Sequence, residues 1–143
     1  MTALSADARR TKYGLMHATT LYLPQATGTT IYANGLVCFN ASGYAAPAAD
    51  TANFEIAGLA VEGQVNSGAD AAKYIRVLRG VMADFAFTGF TIAGCGKNCC
   101  VADDNTVTNA ATATNDVEVG QIVELTSASL AKVHVGVFGL DNA

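Results

Sequence analysis

The chain has 143 residues, a formal net charge of −4, 51% apolar residues and only 14% charged residues. This length corresponds to one domain, and the apolar share excludes an intrinsically disordered protein. Eight Lys and Arg residues against twelve Asp and Glu residues argue against a nucleic-acid-binding module, because phosphate neutralisation requires clustered cations.

The first 23 residues differ in composition from the rest of the chain. Residues 1–12 are small, polar and charged, which is typical of a flexible tail, whereas residues 13–23 are uncharged and rich in Thr, Tyr and Leu. We therefore predict an extended N-terminal arm over residues 1–23 and a single β domain over residues 24–143. No apolar run follows Arg9 and Arg10, so we expect no secretory signal and synthesis in a cytoplasm.

No Asp, Glu, Lys or Arg occurs between Tyr13 and Ala49. Polar residues and glycines interrupt this stretch too often for a membrane span, which requires about 20 apolar residues in a row. The stretch is either a neutral hairpin inside the fold or a surface that lies against another protein, since exposed surface on a free monomer normally carries charge. For the second case we predict these contact residues: Tyr13, Leu15, Met16, Leu21, Tyr22 and Leu23.

Short strands separated by turns are predicted along the middle of the chain. Asn34-Gly35 indicates a turn between two short strands, or a kink in one continuous strand, within residues 31–39. Residues 44–53 are predicted to form a small-residue loop. Residues 54–65 are expected to form one long strand, or two strands with a break at Gly58.

The clearest alternation of apolar and polar residues lies between residues 73 and 87. Ile75 and Val77 are predicted to share a buried face, and the next run continues the pattern with Asp84 on the opposite face. Three phenylalanines lie close together here, and they belong either to the core or to a subunit contact, because aromatic residues often anchor interfaces. They are Phe85, Phe87 and Phe90.

The last third of the chain also follows a strand pattern. Residues 88–100 are predicted to be a glycine-rich connection and 117–125 a strand. Val133, Val135 and Val137 are predicted to be the buried face of a terminal strand. Asp103-Asp104-Asn105 is interpreted as a turn, with a Ca²⁺ site as the alternative. No amphipathic helix is predicted, and the fold class is all-β: a small sandwich or barrel of eight to ten short, mostly antiparallel strands.

Four cysteines and two histidines are the residues best suited to metal or redox chemistry. Cys95, Cys99 and Cys100 are weak candidates for a Zn²⁺ site, which would need Cys38, His17 or His134 as its fourth ligand. The alternatives are buried or loop thiols and a disulfide, and we expect reduced thiols. No nucleotide, hydrolase or zinc-protease motif is present, so we predict no catalytic residues and no cofactor.

Two regions carry a resemblance to a known family. Residues 31–62 have the order strand, turn, Ala-Pro loop, then I-A-G-L-A. Residues 98–137 contain V-A-D-D-N-T-V-T at 101–108 and V-G-Q-I-V-E at 119–124. Together they resemble the small β-rich head decoration (cement) proteins of tailed bacteriophages. The cysteine cluster departs from that pattern.

This resemblance implies a protein without enzymatic activity on the outer capsid surface of the virion. Members of the family bind the major capsid protein over joints of the expanded shell, often as homotrimers and sometimes as dimers, and neither nucleic acid nor membrane is a partner. Two other functions fit the composition: another virion module, such as a head fibre base or tail component, or a small β-barrel that binds a metal or ligand.

Overall fold

A computed structural model describes residues 3–14 and 17–139. The chain is nearly all-β, with 45% of residues in strands and 3% in helix. The described residues form thirteen strands, more than the eight to ten predicted. In chain order they are β1 (Lys12–Tyr13), β2 (Thr19–Pro24), β3 (Thr29–Ile31), β4 (Leu36–Phe39), β5 (Ala45–Pro47), β6 (Glu55–Ala60), β7 (Gln64–Asn66), β8 (Tyr74–Arg79), β9 (Met82–Phe87), β10 (Asn98–Val101), β11 (Thr106–Thr108), β12 (Glu118–Leu125) and β13 (Leu130–Val135).

The C-terminal strands close into a barrel. Their order is β9-β11-β10-β12-β13, and β13 pairs back onto β9. All of these pairings are antiparallel except that between β9 and β11. The short strand β1 adds to β9 on the same side as β11. Because the side chains of a strand alternate between its two faces, every second residue fills the barrel, including Ala83, Phe85, Val101, Val107, Val119 and Val133.

The N-terminal strands form a second sheet in the order β2-β8-β6-β4-β5, and β3 pairs separately with β7. The second sheet curls: Gln25, just after β2, bridges to Ala45 at the start of β5. One face of this sheet packs into the same apolar cluster as the barrel, through Leu36, Cys38 and Leu59. The other face builds a second core around Val37, Ile75, Val77, Ile31, Ala45, Ala57 and Ala60.

The structure confirms the all-β class and several predicted details. Ile75 and Val77 are fully buried, and Tyr74 on the opposite face is 43% exposed. Asn34 adopts a positive φ of 64° at the predicted Asn-Gly turn, a conformation that Asn tolerates better than most residues. In the described part of the chain, no helix has the length and apolar character needed to cross a membrane.

Several local predictions were wrong. Strand β6 runs through Gly58, and the chain breaks after Ala60. Ala45–Pro47 forms a strand inside the predicted loop. The predicted connection 88–100 contains the start of β10. The terminal strand ends at Val135, which leaves Val137 39% exposed.

Candidate interaction surface

Strand β2 is an uncharged edge of the curled sheet. It pairs with β8 along its whole length, from Thr19 opposite Arg79 to Pro24 opposite Tyr74. Among the described strands it has no partner on its other side. Natural edge strands usually carry charges, bulges or prolines that discourage pairing with another chain. Here the only such feature is Pro24, at the end of the strand.

The directions of the backbone groups on β2 follow from its register. The N–H of Gln25 donates to the carbonyl of Lys73 at 2.9 Å. In an antiparallel pair, alternate residues direct both backbone polar groups to the same neighbour. Leu21 and Leu23 therefore direct theirs to β8, whereas Thr20 and Tyr22 direct their N–H and C=O groups away from the sheet.

A pair of exposed tyrosines flanks this edge. The rings of Tyr22 and Tyr74 stack with centroids 5.3 Å apart, and the two residues are 66% and 43% exposed. Beside them, Arg76 on β8 is paired with Glu62 at 2.6 Å. The hydrogen bonds that Arg76 donates to Glu62, together with the negative charge of Glu62, raise the pKa of Arg76. The two charges of this ion pair offset each other, so the face around the tyrosines is close to neutral.

The other predicted contact residues of the arm lie in different settings. Leu21 and Leu23 are half-buried, and Leu23 packs against the second core. Tyr13 is half-buried beneath the ammonium of Lys132, which lies 3.9 Å from the ring centroid. Leu15 and Met16 lie outside the described residues. Within residues 13–23, Tyr13 of β1 and Thr19–Leu23 of β2 pair with strands of the same chain.

Residues 3–13, which we call the strap, lie along the body and are held there mainly by polar contacts. Ala8 N–H donates to the carbonyl of Ala33 at 3.0 Å, and Leu4 N–H donates to Asp104 Oδ1 at 2.8 Å. Burial raises the pKa of Asp104, an effect that the bond from Leu4 partly offsets. The strap therefore depends on directional bonds more than on buried apolar area.

Arg10 is the central contact of the strap. Its guanidinium donates to the carbonyls of Asn34 (2.9 Å) and Asp84 (2.7 Å) and to Asn105 Oδ1 (2.7 Å). Burial lowers the pKa of Arg10 to about 10, an effect opposed by the charges of Asp104 and Asp84. The group therefore keeps its charge at neutral pH. The strap also explains why Asp84, predicted to face away from the barrel interior, is buried: its carboxylate accepts bonds from Tyr13 Oη and Thr126 Oγ1.

The three phenylalanines do not form one exposed patch. Phe85 is fully buried in the barrel core, so in this chain it presents no surface to a partner, which corrects its assignment as a contact residue. Phe87 and Phe90 are half-buried and stack with centroids 4.5 Å apart. Both pack against the barrel core.

Cys38, Cys99 and Cys100 are buried, and Cys95 is half-buried. Cys99 and Cys100 are consecutive on β10 and therefore point to opposite faces of the strand; the Cys99 thiol contacts the carbonyl of Gly120 at 3.5 Å. Burial raises the pKa of Cys99 and raises that of Cys38 to about 12. Within residues 3–14 and 17–139, no three His, Cys, Asp or Glu side chains are placed to hold a metal ion together. The structure thus does not bring Cys95, Cys99 and Cys100 together as ligands.

The remaining polar candidates have structural partners. Asp103 Oδ1 accepts the N–H of Asn105 at 2.8 Å, which is the turn predicted for this tripeptide. His134 is half-buried and its Nε2 contacts the carbonyl of Gly80 at 2.9 Å, whereas His17 is exposed.

A cleft of about 490 Å³ opens at one side of the barrel. It lies between the glycine-rich loop around Gly94–Lys97 and the loop that begins at Asn109, and Phe90 and Ile122 provide its apolar lining. Glu118 and Cys100 also line it. These two residues lie opposite each other in the β10–β12 ladder.

Comparison with protein-family models, with curated proteins and with solved structures finds no significant match to this chain. Function must therefore be argued from the surface itself. Sequence reasoning identified Tyr22 but missed its stacking partner Tyr74. The alternation at 73–79 placed Tyr74 on an exposed face. The stacked pair forms because the β2–β8 register places Tyr22 and Tyr74 at diagonal positions. No sequence signal indicated that Arg10 or Asp84 would be buried.

Proposed function

We propose that this chain is a structural, non-enzymatic component of a tailed-bacteriophage virion: a capsid decoration protein that binds the outside of the expanded head. In this proposal its partners are the major capsid protein and further copies of itself. The bound protein stabilises joints between capsid subunits against internal pressure.

The observation that carries the proposal is the exposed part of the uncharged stretch 13–49. It contributes Thr19, Thr20 and Tyr22 of the edge strand β2 and the turn at residues 41–43, all of which are exposed and none of which is Asp, Glu, Lys or Arg. Exposed aromatic residues on such a surface are frequent anchors of protein interfaces. The stacked pair Tyr22–Tyr74 fits that role.

The architecture of the protein is suited to a component that must resist mechanical force. Its strands are braced by closure of the barrel, and one apolar cluster joins the barrel to the second sheet. A contact of modest strength is sufficient on a symmetric shell, since many copies acting together raise the total affinity. The resemblance of residues 31–62 and 98–137 to decoration proteins supports the same assignment.

The test is binding of the purified protein to expanded heads that lack a decoration protein, followed by sedimentation and electron microscopy. We expect occupancy of the outer shell and greater resistance of the heads to heat. The double variant Tyr22→Ser/Tyr74→Ser should bind roughly tenfold to a hundredfold more weakly. Ile92→Ser is the matched control, because Ile92 is also apolar and is 71% exposed.

Each outcome bears on a separate part of the proposal. Absence of wild-type binding to any head would overturn the decoration role. Labelling at a head fibre or tail would instead support another virion module. If Ile92→Ser lost binding while Tyr22→Ser/Tyr74→Ser still bound normally, the capsid contact would lie on the barrel side of the protein instead.

Deletion of residues 1–23 is a poor test of an arm, because it removes β2 from the sheet. A deletion that ends at Thr11 removes the strap ahead of β1 and leaves β2 in place. We expect this shorter deletion to reduce stability, since it removes Arg10 and Leu4 from their bonds.

A further inference from the structure

We infer that the free edge of β2 pairs with β2 of a second copy of this chain, antiparallel and about a two-fold axis at Leu21. The inference concerns the chain alone and holds whatever larger structure the protein binds. Its basis is the geometry of the open edge of β2.

The available edge is short and has defined ends. Pro24 has no N–H to offer a partner, and beyond it Ala26 N–H already donates to the carbonyl of Ala45 at 2.9 Å. The strand begins at Thr19. The open edge is thus Thr19–Leu23, and Leu21 is its central residue.

A two-fold axis at Leu21 satisfies the outward backbone groups. It places Thr20 opposite Tyr22 of the second copy, and Tyr22 opposite Thr20. These are the two residues whose N–H and C=O groups point away from the sheet, so both pairs are hydrogen-bonded pairs of an antiparallel ladder. An unpaired edge of this kind is a template for such pairing.

The side chains are compatible with this self-pairing. On the exposed face, each tyrosine meets a β-branched threonine, a favourable cross-strand pair. No charged residue occurs on β2, so no like charges oppose each other across the axis. Arg76, which lies opposite Tyr22 on β8, is paired with Glu62 of the same copy.

The resulting interface is isologous: the same surface is used by both copies, and the assembly closes as a dimer. The two curled sheets become continuous through β2. Both Tyr22–Tyr74 stacks then lie on the same face of the joined sheet, because the axis of an antiparallel pair is perpendicular to it. The inference selects the dimer, the less frequent of the two assemblies that the family resemblance implies.

Two double variants test the register directly. In Thr20→Lys/Tyr22→Lys, each lysine faces a lysine of the other copy. In Thr20→Lys/Tyr22→Glu, each lysine faces a glutamate. Since both variants lose the same tyrosine, they differ only in the sign of one charge. Molecular mass is measured by light scattering over a range of concentrations, with circular dichroism as the check on folding.

We expect the wild type to have twice the chain mass of 14.6 kDa at high concentration. The Lys/Lys variant should raise the dimer dissociation constant roughly tenfold or more, and the Lys/Glu variant should retain the dimer. The inference would be overturned if the wild type were a monomer or a trimer at high concentration. Equal dissociation constants for the two variants would also overturn it.

Amide exchange provides a second measurement that needs no variant. The N–H groups of Thr20 and Tyr22 should exchange more slowly as protein concentration rises, because only the dimer protects them. Those of Leu21 and Leu23, which face β8, should not change and serve as internal controls. If the Lys/Lys variant fails to fold, this measurement decides, and concentration-independent exchange of Thr20 and Tyr22 would refute the pairing.

Discussion

The guanidinium carbon of Arg10 lies 4.2 Å from the centroid of the Phe85 ring. One residue belongs to the strap and the other is a fully buried residue of the barrel core. A cation over an aromatic face gains electrostatic attraction, and more when water is excluded. Arg10 therefore joins the N-terminal segment to the barrel through the ring as well as through its three hydrogen bonds.

Arg10→Ala should destabilise the protein by about 2–3 kcal/mol, because it leaves several buried acceptors without their donor. Arg10→Lys should lie between the wild type and Arg10→Ala, since an ammonium keeps the charge but cannot reproduce the planar fork. Urea denaturation measures both effects. Arg9→Ala is the matched control: Arg9 is exposed, and its replacement should change stability by less than about 0.5 kcal/mol. Equal effects of Arg9→Ala and Arg10→Ala would contradict this account of the strap.

A second prediction concerns Gly120, where β12 packs closely against β13. A Cβ at this position would lie 2.0 Å from the carbonyl oxygen of His134. Gly120 lies opposite Val135 in the ladder, so the clash is with backbone and cannot be relieved by a side-chain rotation. Gly120→Ala should cost at least about 3 kcal/mol or prevent folding.

The control for this clash is Gly43→Ala. Gly43 has a φ of +89°, but no atom lies within 4 Å of the added Cβ. Its replacement should therefore cost only about 1 kcal/mol, the strain of an alanine in a left-handed conformation. Thermal unfolding of the two variants separates steric overlap from backbone strain. A Gly120→Ala protein as stable as Gly43→Ala would contradict the close approach.

The fold class could be predicted because period-two alternation is a local property of the chain. Residues such as Ile75 and Val77 reveal a buried face whatever strand lies beside them. Barrel closure is different in kind: it depends on β13 pairing with β9 across 43 or more intervening residues, and no short pattern encodes that choice. Gly58 illustrates the limit within one strand, since a glycine signals either a break or a close approach of backbone, and here it is the second.

The candidate surface was only partly predictable for the same reason. The absence of charge around Tyr22 is visible in the sequence, but its stacking on Tyr74 requires the β2–β8 register. Arg10 and Asp84 were missed because charged residues are ordinarily exposed. Their burial results from the strap lying over β9, which is a tertiary contact.

The thiols should differ widely in reactivity. Cys38 and Cys99 are fully buried, and their raised pKa values reduce the reactive thiolate. A pKa of about 12 for Cys38 corresponds at pH 8 to a thiolate fraction on the order of a thousandfold below that of an ordinary thiol. Cys95 is half-buried and should be alkylated first in the native protein.

Iodoacetamide labelling followed by peptide mass spectrometry measures this order. The variant Cys95→Ser should lack the fast phase, and the protein in denaturant should label at all four cysteines. Fast native labelling of Cys38 or Cys99 would show that the barrel or the second sheet opens readily, contrary to the burial seen here.

The loop that begins at Asn109 is fastened by one carboxylate, and this makes its attachment dependent on pH. Asp50 accepts the N–H groups of Thr114 and Asn115, each at 2.8 Å. The bond from Thr114 is the main cause of the lowered pKa of Asp50. A group with a lowered pKa in the folded state stabilises the protein above its unfolded pKa of about 3.9, and that stabilisation is lost as pH falls through the folded value.

Asp50→Asn should therefore lower stability at pH 7, by less than about 1 kcal/mol because the site is exposed to water. The difference from the wild type should shrink towards zero as the pH falls through the lowered pKa of Asp50, where the wild-type carboxyl itself becomes protonated. Urea midpoints at pH 7 and over an acid series test this, with Asp116→Asn, an exposed neighbour of the same loop, as the control. If the stability difference between Asp50→Asn and the wild type persisted in acid, the Asp50 side chain would act through its shape and not through its charge.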